Sequence, residues 1–348
     1  MISESLAHQS ATGMLPRRII VPPEPENWGS PHSNVPPEPL QATFVCGPFG
    51  RGNCPRMKNV IFFAIFTLMR LIVKNLRAAA VILLAALAAG SCSRKAEIGV
   101  MSYNIRLGVA NDSTNSWEIR KPATKTMLDN LKPEVFGVQE AYDFQVDYIL
   151  QQCPRYKAVG VGREDGVREG EHMSVFFDTK RIELLDWGTY WLSETPDVPS
   201  FGWDAACKRT ATWTLLKERR SGRRFWFVNT HLDHVGVVAR REGLALISRN
   251  ISAMNPEGLP MILTGDFNVT PDNPGLEGIR AQMSYARETA GRTDDTGSYN
   301  GWGKASEVID YIWYSGFSGC PYFRTVTESF AGIPFVSDHY PVVARLTF

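Results

Sequence analysis

Residues 262–268 read Ile262-Leu-Thr-Gly-Asp-Phe-Asn268, an apolar opening that closes on an acid and an amide. The opening has the composition of a buried strand. The close is what a rigid sheet carries where it presents an active site. The same grammar recurs along the chain. Met101-Ser-Tyr-Asn104 ends in Asn, Gly137-Val-Gln-Glu140 in Glu and Phe227-Val-Asn-Thr-His231 in His. Val336-Ser-Asp-His339 ends in an Asp-His pair just before another apolar run. Gathered on one edge, these ends put carboxylates, amides and imidazoles into one cleft.

Working outward, further apolar, β-branched runs predict strands at Ile98–Tyr103, Val135–Val138, Ser174–Phe177, Thr212–Leu216, Phe225–Asn229, Met261–Leu263, Val308–Trp313 and Val342–Leu346. Helices are predicted at Trp117–Leu131, Asp143–Gln151 and Val237–Met254. In the last, Val237, Leu244, Ile247 and Ile251 share a face while Arg240, Arg241 and Arg249 point outward. The alternation predicts one large α/β domain over residues 93–348.

The remainder of the 348 residues is a leader of different composition. Residues 1–56 are rich in Pro, Gly, Ser and Asn and repeat Val-Pro-Pro-Glu-Pro at 21 and 35. They read as a disordered tail, or as residues upstream of a true start at Met57 or Met69. Residues 57–92 read as an export signal. Arg70, Lys74 and Arg77 precede an uncharged apolar run, Ala78 to Ala89, followed by Gly90, Ser91 and Cys92. Such a segment resembles a bacterial lipoprotein signal, with Cys92 as the lipidation site. An ordinary cleaved signal or an uncleaved anchor is the alternative. The run Val60 to Leu68 is too short to span a bilayer, so no transmembrane domain is expected in the mature protein. The expected location is exported: membrane-anchored by lipid, periplasmic or extracellular.

Hydrophobic residues make up 44% and charged residues 21%, which excludes a wholly disordered chain and a polytopic membrane protein. The formal charge is +1, but 8 Lys+Arg and 4 Asp+Glu precede residue 93, leaving 29 basic and 32 acidic residues in the domain, a net of −3. That balance argues weakly against non-specific nucleic-acid binding. Cys153, Cys207 and Cys320 form no CxxC pair, so neither a zinc site nor a disulfide framework is implied.

The polar strand ends support one chemistry in particular. Carboxylate and amide oxygens are hard ligands and suit Mg²⁺ or Mn²⁺ better than zinc. An imidazole backed by an Asp is a competent acid or base. Asn and a second His can donate to a phosphoryl oxygen as charge grows there. Together they fit metal-assisted hydrolysis of a phosphate ester.

Ser102-Tyr-Asn-Ile105, Val138-Gln-Glu140, Asn229-Thr-His-Leu-Asp233, Thr264-Gly-Asp-Phe-Asn268, Ile309-Asp-Tyr-Ile312 and Ser337-Asp-His-Tyr-Pro341, in that order, resemble the motifs of the endonuclease/exonuclease/phosphatase superfamily. The resemblance runs from about residue 98 to the C-terminus. It implies a deoxyribonuclease-I-like four-layer α/β/β/α sandwich, two packed mixed β-sheets flanked by helices. It also implies roles. Glu140 is the principal metal ligand, with Asn104 beside it and Asp338 near the metal. Asp266 orients or activates water, Asn268 binds the scissile phosphate and His231 donates to a phosphate oxygen. His339, oriented by Asp310, is the acid/base imidazole, and the base role is shared between Asp266 and His339.

A second tier of residues is read as substrate-binding. His172 stands where many relatives have Tyr. Arg209 precedes a strand and offers a phosphate clamp or a surface charge. Trp203 and Trp302 offer a stacking rim, while Asp233 and His234, which extend the Thr-His motif, are read as supporting the site from behind. The leading reading is a phosphodiesterase of nuclease type; an exported phospholipid phosphodiesterase (as for a sphingomyelinase) and a sugar- or inositol-phosphate phosphatase are the alternatives. The chain is expected to act as a monomer. The contrasting reading, a non-catalytic binding module on the same fold, would require loss of Glu140, Asp266, Asn268 or His339, and all four are present.

Overall fold

The computed structural model describes residue 66, residues 68–76 and residues 96–348. The chain divides into two compact units, Met1–Ala80 and Val81–Phe348. In the first, residues 68–76 are helical. The Pro-rich tail, the apolar run Ala78 to Ala89 and Cys92 lie outside the described residues. Among the described residues, no helix is long and apolar enough to cross a membrane.

The second unit carries two six-stranded mixed sheets. One is built from β1 (Glu97–Asn104), β2 (Val135–Gln139), β4 (Tyr156–Val159), β6 (Val175–Asp178), β13 (Gly319–Thr325) and β14 (Val342–Thr347), in the order β13-β14-β1-β2-β6-β4. The other holds β7 (Ile182–Trp191), β8 (Thr210–Glu218), β9 (Arg224–His231), β10 (Met261–Asp266), β11 (Ser284–Tyr285) and β12 (Asp310–Ser315), in the order β11-β12-β10-β9-β8-β7. A two-stranded ribbon, β3 (Ala141–Tyr142) with β5 (Glu171–His172), hangs off the end of β2. Each large sheet has one parallel pair near its middle, β1 with β2 and β9 with β10.

Helices α1 (Trp117–Leu131) and α2 (Asp143–Gln152) cover the first sheet, and α3 (Val237–Met254) covers the second. The α1 and α3 bounds agree with the sequence expectation. Pro122 is the sixth residue of α1, so it costs the helix one i→i−4 hydrogen bond, to the Glu118 carbonyl. The four layers, α/β/β/α, thus match the architecture that the motifs imply.

Side-chain alternation explains where the core ends and the site begins. Along β1, Met101 and Tyr103 face the helices, while Ile98 and Val100 face the other sheet. Ser102 and Asn104 continue the same inter-sheet row. The other central strands do likewise: Val135 then Gln139, Phe225 and Phe227 then Asn229 and His231, Ile262 then Thr264 and Asp266, and Tyr314 and Ile312 then Asp310. The inter-sheet space is therefore apolar at one end, amide- and hydroxyl-rich in the middle and charged at the other end.

The middle layer stitches the sheets together. Gln139 Nε2 donates to Asn229 Oδ1 at 2.7 Å and to Ser102 Oγ at 3.2 Å. Thr264 Oγ1 donates to Asn229 Oδ1 at 3.1 Å, and Asn229 Nδ2 donates to the Val138 carbonyl at 2.7 Å. Gly137 is required here, because a Cβ at that position would lie 2.2 Å from Asn229 Oδ1. These bonds tie the two buried amides together across the interface, with Gln139 Oε1 left without a partner among the described residues.

Candidate active site

Strand register assembles the charged layer. Asp266 pairs with His231 across the parallel β9–β10 ladder and with Asp310 across the antiparallel β10–β12 ladder. Three neighbouring strands therefore present His231, Asp266 and Asp310 in one row. From the facing sheet, Asn104 ends β1 opposite Gln139, and Glu140 follows one residue beyond. Glu140, Arg106 and Asn268 all take left-handed backbone conformations, with φ of 61°, 60° and 51°. Each such turn costs a non-glycine residue about 1–2 kcal/mol.

Asn104 lies at the centre. Its Nδ2 donates to Glu140 Oε1 at 3.0 Å and to Asp266 Oδ2 at 2.9 Å, and it lies 3.5 Å from His339 Nε2. Its Oδ1 accepts from the Arg106 N–H at 3.0 Å, which sets the direction of the amide. Glu140 Oε2 accepts from the Leu107 N–H at 2.9 Å. The Arg106 guanidinium lies 3.9 Å from Glu140 and 3.5 Å from Asp338, and it grips Asp112 with two nitrogens.

On the other side, His339 Nδ1 meets Asp310 Oδ2 at 2.9 Å, and His339 Nε2 lies 3.7 Å from Asp266. Asn268 Nδ2 donates to His231 Nε2 at 3.1 Å and to the Leu232 carbonyl at 3.0 Å, so His231 carries its hydrogen on Nδ1. That Nδ1 faces Glu171, 3.9 Å away. The Asn268 N–H donates to Asp266 Oδ1 at 3.0 Å.

Burial separates the titrations of these groups. Burial and the neighbouring Asp310 charge push Asp266 up to about 7. Burial alone would lower His339, but Asp310, Asp266 and Asp338 outweigh it and raise the imidazole to about 10. Burial, reinforced by Arg209 and Arg163, drives His231 well below its usual range and keeps it neutral. Burial also raises Asp338. Near neutral pH the layer therefore offers a proton acceptor in Asp266 and a cation in His339.

The donor set fits a hard divalent cation. One ligand atom each from Glu140, His231 and Asp266 lies within 4.8 Å of the others, and Asp338 adds a carboxylate beyond Arg106. Oxygen ligands dominate the set, as Mg²⁺ or Mn²⁺ requires.

The second-tier residues are dispersed. Arg209 is buried, not a surface charge. It donates to Asp233 at 3.3 Å and contacts His234 Nδ1 at 3.0 Å, while its Nη1 has no partner among the described residues. His172 is buried in the β3–β5 ribbon, with Nε2 3.1 Å from the Arg168 carbonyl. Trp203 lies on the loop before β8, and its backbone N–H donates to Glu194 Oε2 at 3.2 Å. Trp302 covers the face of Arg120, 5.5 Å from the guanidinium to the ring centre.

Arg106, Glu171, Gln139 and Arg120 escaped sequence reading. Arg106, two residues past the end of β1, was legible as a cation among strand-end acids. Glu171 and Arg120 carried no comparable signal, because both act through long-range contacts.

A family model described as the endonuclease/exonuclease/phosphatase family matches residues 101–339. An endonuclease/exonuclease/phosphatase from Bacteroides vulgatus is 34% identical, with 73% of this chain and all of that one covered and a TM-score of 0.69. The Bacteroides thetaiotaomicron mannosyl-6-phosphatase is 32% identical over 72% of this chain and all of its own, with a TM-score of 0.69. The human Nocturnin catalytic domain shares the fold at 20% identity, covering 72% of this chain and 94% of that one, with a TM-score of 0.57. With the motif residues gathered at one end of a four-layer sandwich, the chain belongs to the endonuclease/exonuclease/phosphatase family of phosphoester hydrolases.

Proposed function

We propose that this hydrolase is exported, depends on Mg²⁺ or Mn²⁺, and cleaves a sugar phosphate monoester. The observation that carries the catalytic part is the His231–Asp266–Asp310 row, with His339 held on Asp310 at 2.9 Å. The substrate class rests on the relative named as a mannosyl-6-phosphatase, which aligns over its whole length. The net charge of −3 on the domain supports a small substrate over a polyanion.

Glu140, with Asp338 and the Asn104 side chain adjoining, would hold the metal. When bound, it supplies charge stabilisation to the phosphoryl group. Asp266, poised to accept a proton near neutral pH, takes one from the attacking water. His339 Nε2 lies 3.7 Å from Asp266, on the attacking side. An in-line displacement puts the leaving oxygen on the far side, so His339 serves a non-bridging phosphoryl oxygen and the departing sugar oxygen takes its proton from solvent water. Asn268 and His231 line the same wall, and a bound phosphate would replace the His231 ring as the acceptor of one Asn268 amide hydrogen.

The test is a metal-supplemented panel of mannose 6-phosphate, single-stranded RNA and DNA, sphingomyelin and phosphatidylinositol. Turnover of the sugar phosphate, lost on chelation, is the expected result. Cleavage of nucleic acid or lipid with the sugar phosphate untouched would replace the substrate class. Undiminished turnover after exhaustive chelation would remove the metal. Export by a lipid anchor predicts that Cys92→Ser moves the protein from membrane to soluble fractions, and unchanged partition would exclude Cys92 as the tether.

A further inference from the structure

The end of the sandwich opposite the cleft carries a concentration of cations. The β8–β9 turn, Glu218-Arg-Arg-Ser-Gly-Arg-Arg224, exposes Arg219, Arg220, Arg223 and Arg224. Exposed Lys132, Lys180 and Arg345 stand beside it, around a cavity of 620 Å³ that Arg155 and Arg181 also line. Three acids of this region lie beneath, while Glu97 and Glu257 are exposed and Glu183 partly so. Glu134, Asp178 and Glu218 are buried and hold Arg155 and Arg181 from below. Glu183 pairs with Arg219 and Glu257 with Arg224. Among the described residues, the side-chain nitrogens of Lys132, Lys180, Arg220 and Arg223 have no carboxylate oxygen within 4.0 Å. This face is positive although the domain as a whole is slightly acidic.

The chain enters the domain at the same end. The Ala96 carbonyl accepts from the Phe348 N–H at 2.9 Å, and Arg223 lies over the Phe348 ring at 5.8 Å. The sequence that precedes Ala96 is the one with Arg70, Lys74 and Arg77, the apolar run Ala78 to Ala89 and Cys92. The cavity has no aromatic lining residue, so it lacks the stacking platform that single-stranded nucleic acid uses.

We propose that this basic face docks on an anionic lipid bilayer and turns the catalytic cleft away from it. Basic side chains within a Debye length of an anionic leaflet, about 8–10 Å, are attracted to it. From Arg224 to His231 along β9, seven steps of roughly 3.3 Å put about 23 Å between the face and the cleft. Substrate then arrives from solution rather than from the supporting membrane. This inference is independent of which phosphate ester is cleaved.

Residues 96–348 suffice for the test, because solved relatives whose entire chains match this part fold without the leader. The probes are phosphatidylcholine vesicles with and without about 30% phosphatidylglycerol, sedimented with the protein at low and high salt. Binding to the anionic vesicles only, and release at about 0.5 M salt, is expected. The combined Lys132→Glu, Lys180→Glu, Arg220→Glu and Arg223→Glu variant lowers partition at least roughly tenfold. Its thermal midpoint and its hydrolysis of a soluble phosphate ester stay unchanged. Equal partition on both vesicles overturns the proposal, as does unchanged binding by the variant. Preferential capture of single-stranded RNA through the same four residues overturns it too.

Discussion

The two sheets deliver unlike halves of one site from similar parts. Each contributes a parallel pair, β1–β2 on one side and β9–β10 on the other. The first pair ends in Asn104 and Glu140, with the partly exposed Arg106 beside them. The second ends in His231 and Asp266, buried and flanked by Asp310 and His339. The difference teaches how burial divides labour. A carboxylate that keeps some solvent, beside the Arg106 cation and the Leu107 N–H, is placed to hold a metal. A carboxylate sealed beside another acid has its proton affinity raised, suited to moving a proton.

The largest expected effect breaks the proton-handling half. Asp266→Asn is expected to lower kcat by about 10³–10⁴-fold with the fold intact by circular dichroism. Retention of a tenth of the activity would remove Asp266 from the chemistry. Next comes the metal half. Glu140→Gln is expected to weaken Mn²⁺ binding by about 100-fold in calorimetry, more than Asp266→Asn does. Equal losses in both variants would erase the division between the halves.

A smaller effect tests the stitching below both halves. Gly137→Ala drives a Cβ against Asn229 and is expected to cost about 2 kcal/mol in urea unfolding. An unchanged midpoint would mean that the sheets separate easily at this layer. The smallest effect concerns the loop after β9. Burial opposes it, but the Gly236 and Val235 N–H groups and others hold Asp233 down to about 2. The stability this gives is present above the unfolded carboxyl's value of 3.8 and is lost as pH falls through about 2. Asp233→Asn is expected to flatten unfolding midpoints between these two values. A wild-type and variant curve of the same slope there would show that Asp233 does not anchor the loop.

Much of this was legible because strand ends announce themselves. The apolar-to-polar passages at Asn104, Glu140, His231 and Asp266 predicted both a sheet and its working edge. The edge strands were not legible. β7 carries a register shift between Leu184 and Asp186 and exposes Asp186 and Trp187, so its pattern is broken. β13 contains Pro321, which an edge strand tolerates and a sequence pattern penalises. Within the motifs, Gln139 and Asn229 look as chemical as their neighbours, yet they hold the sheets together. Only the alternation of faces across two sheets distinguishes them, and that requires knowing which rows meet. Trp302 reads as a stacking rim, and the structure adds a contact that the sequence does not show, its ring lying over Arg120.

Arg120 is fully buried between Trp117 and Trp302, and every hydrogen bond it makes goes to the main chain. It donates to the carbonyls of Asn115, Ile105 and Val336, and reaches that of Arg106 at 3.5 Å. A fastener of this kind reads where the backbone runs and ignores which side chains it bears. The loops it holds, after β1 and before His339, can therefore exchange their outward residues without loosening the catalytic frame. New substrates are accessible to this scaffold by changing a surface, with the machinery beneath left at rest.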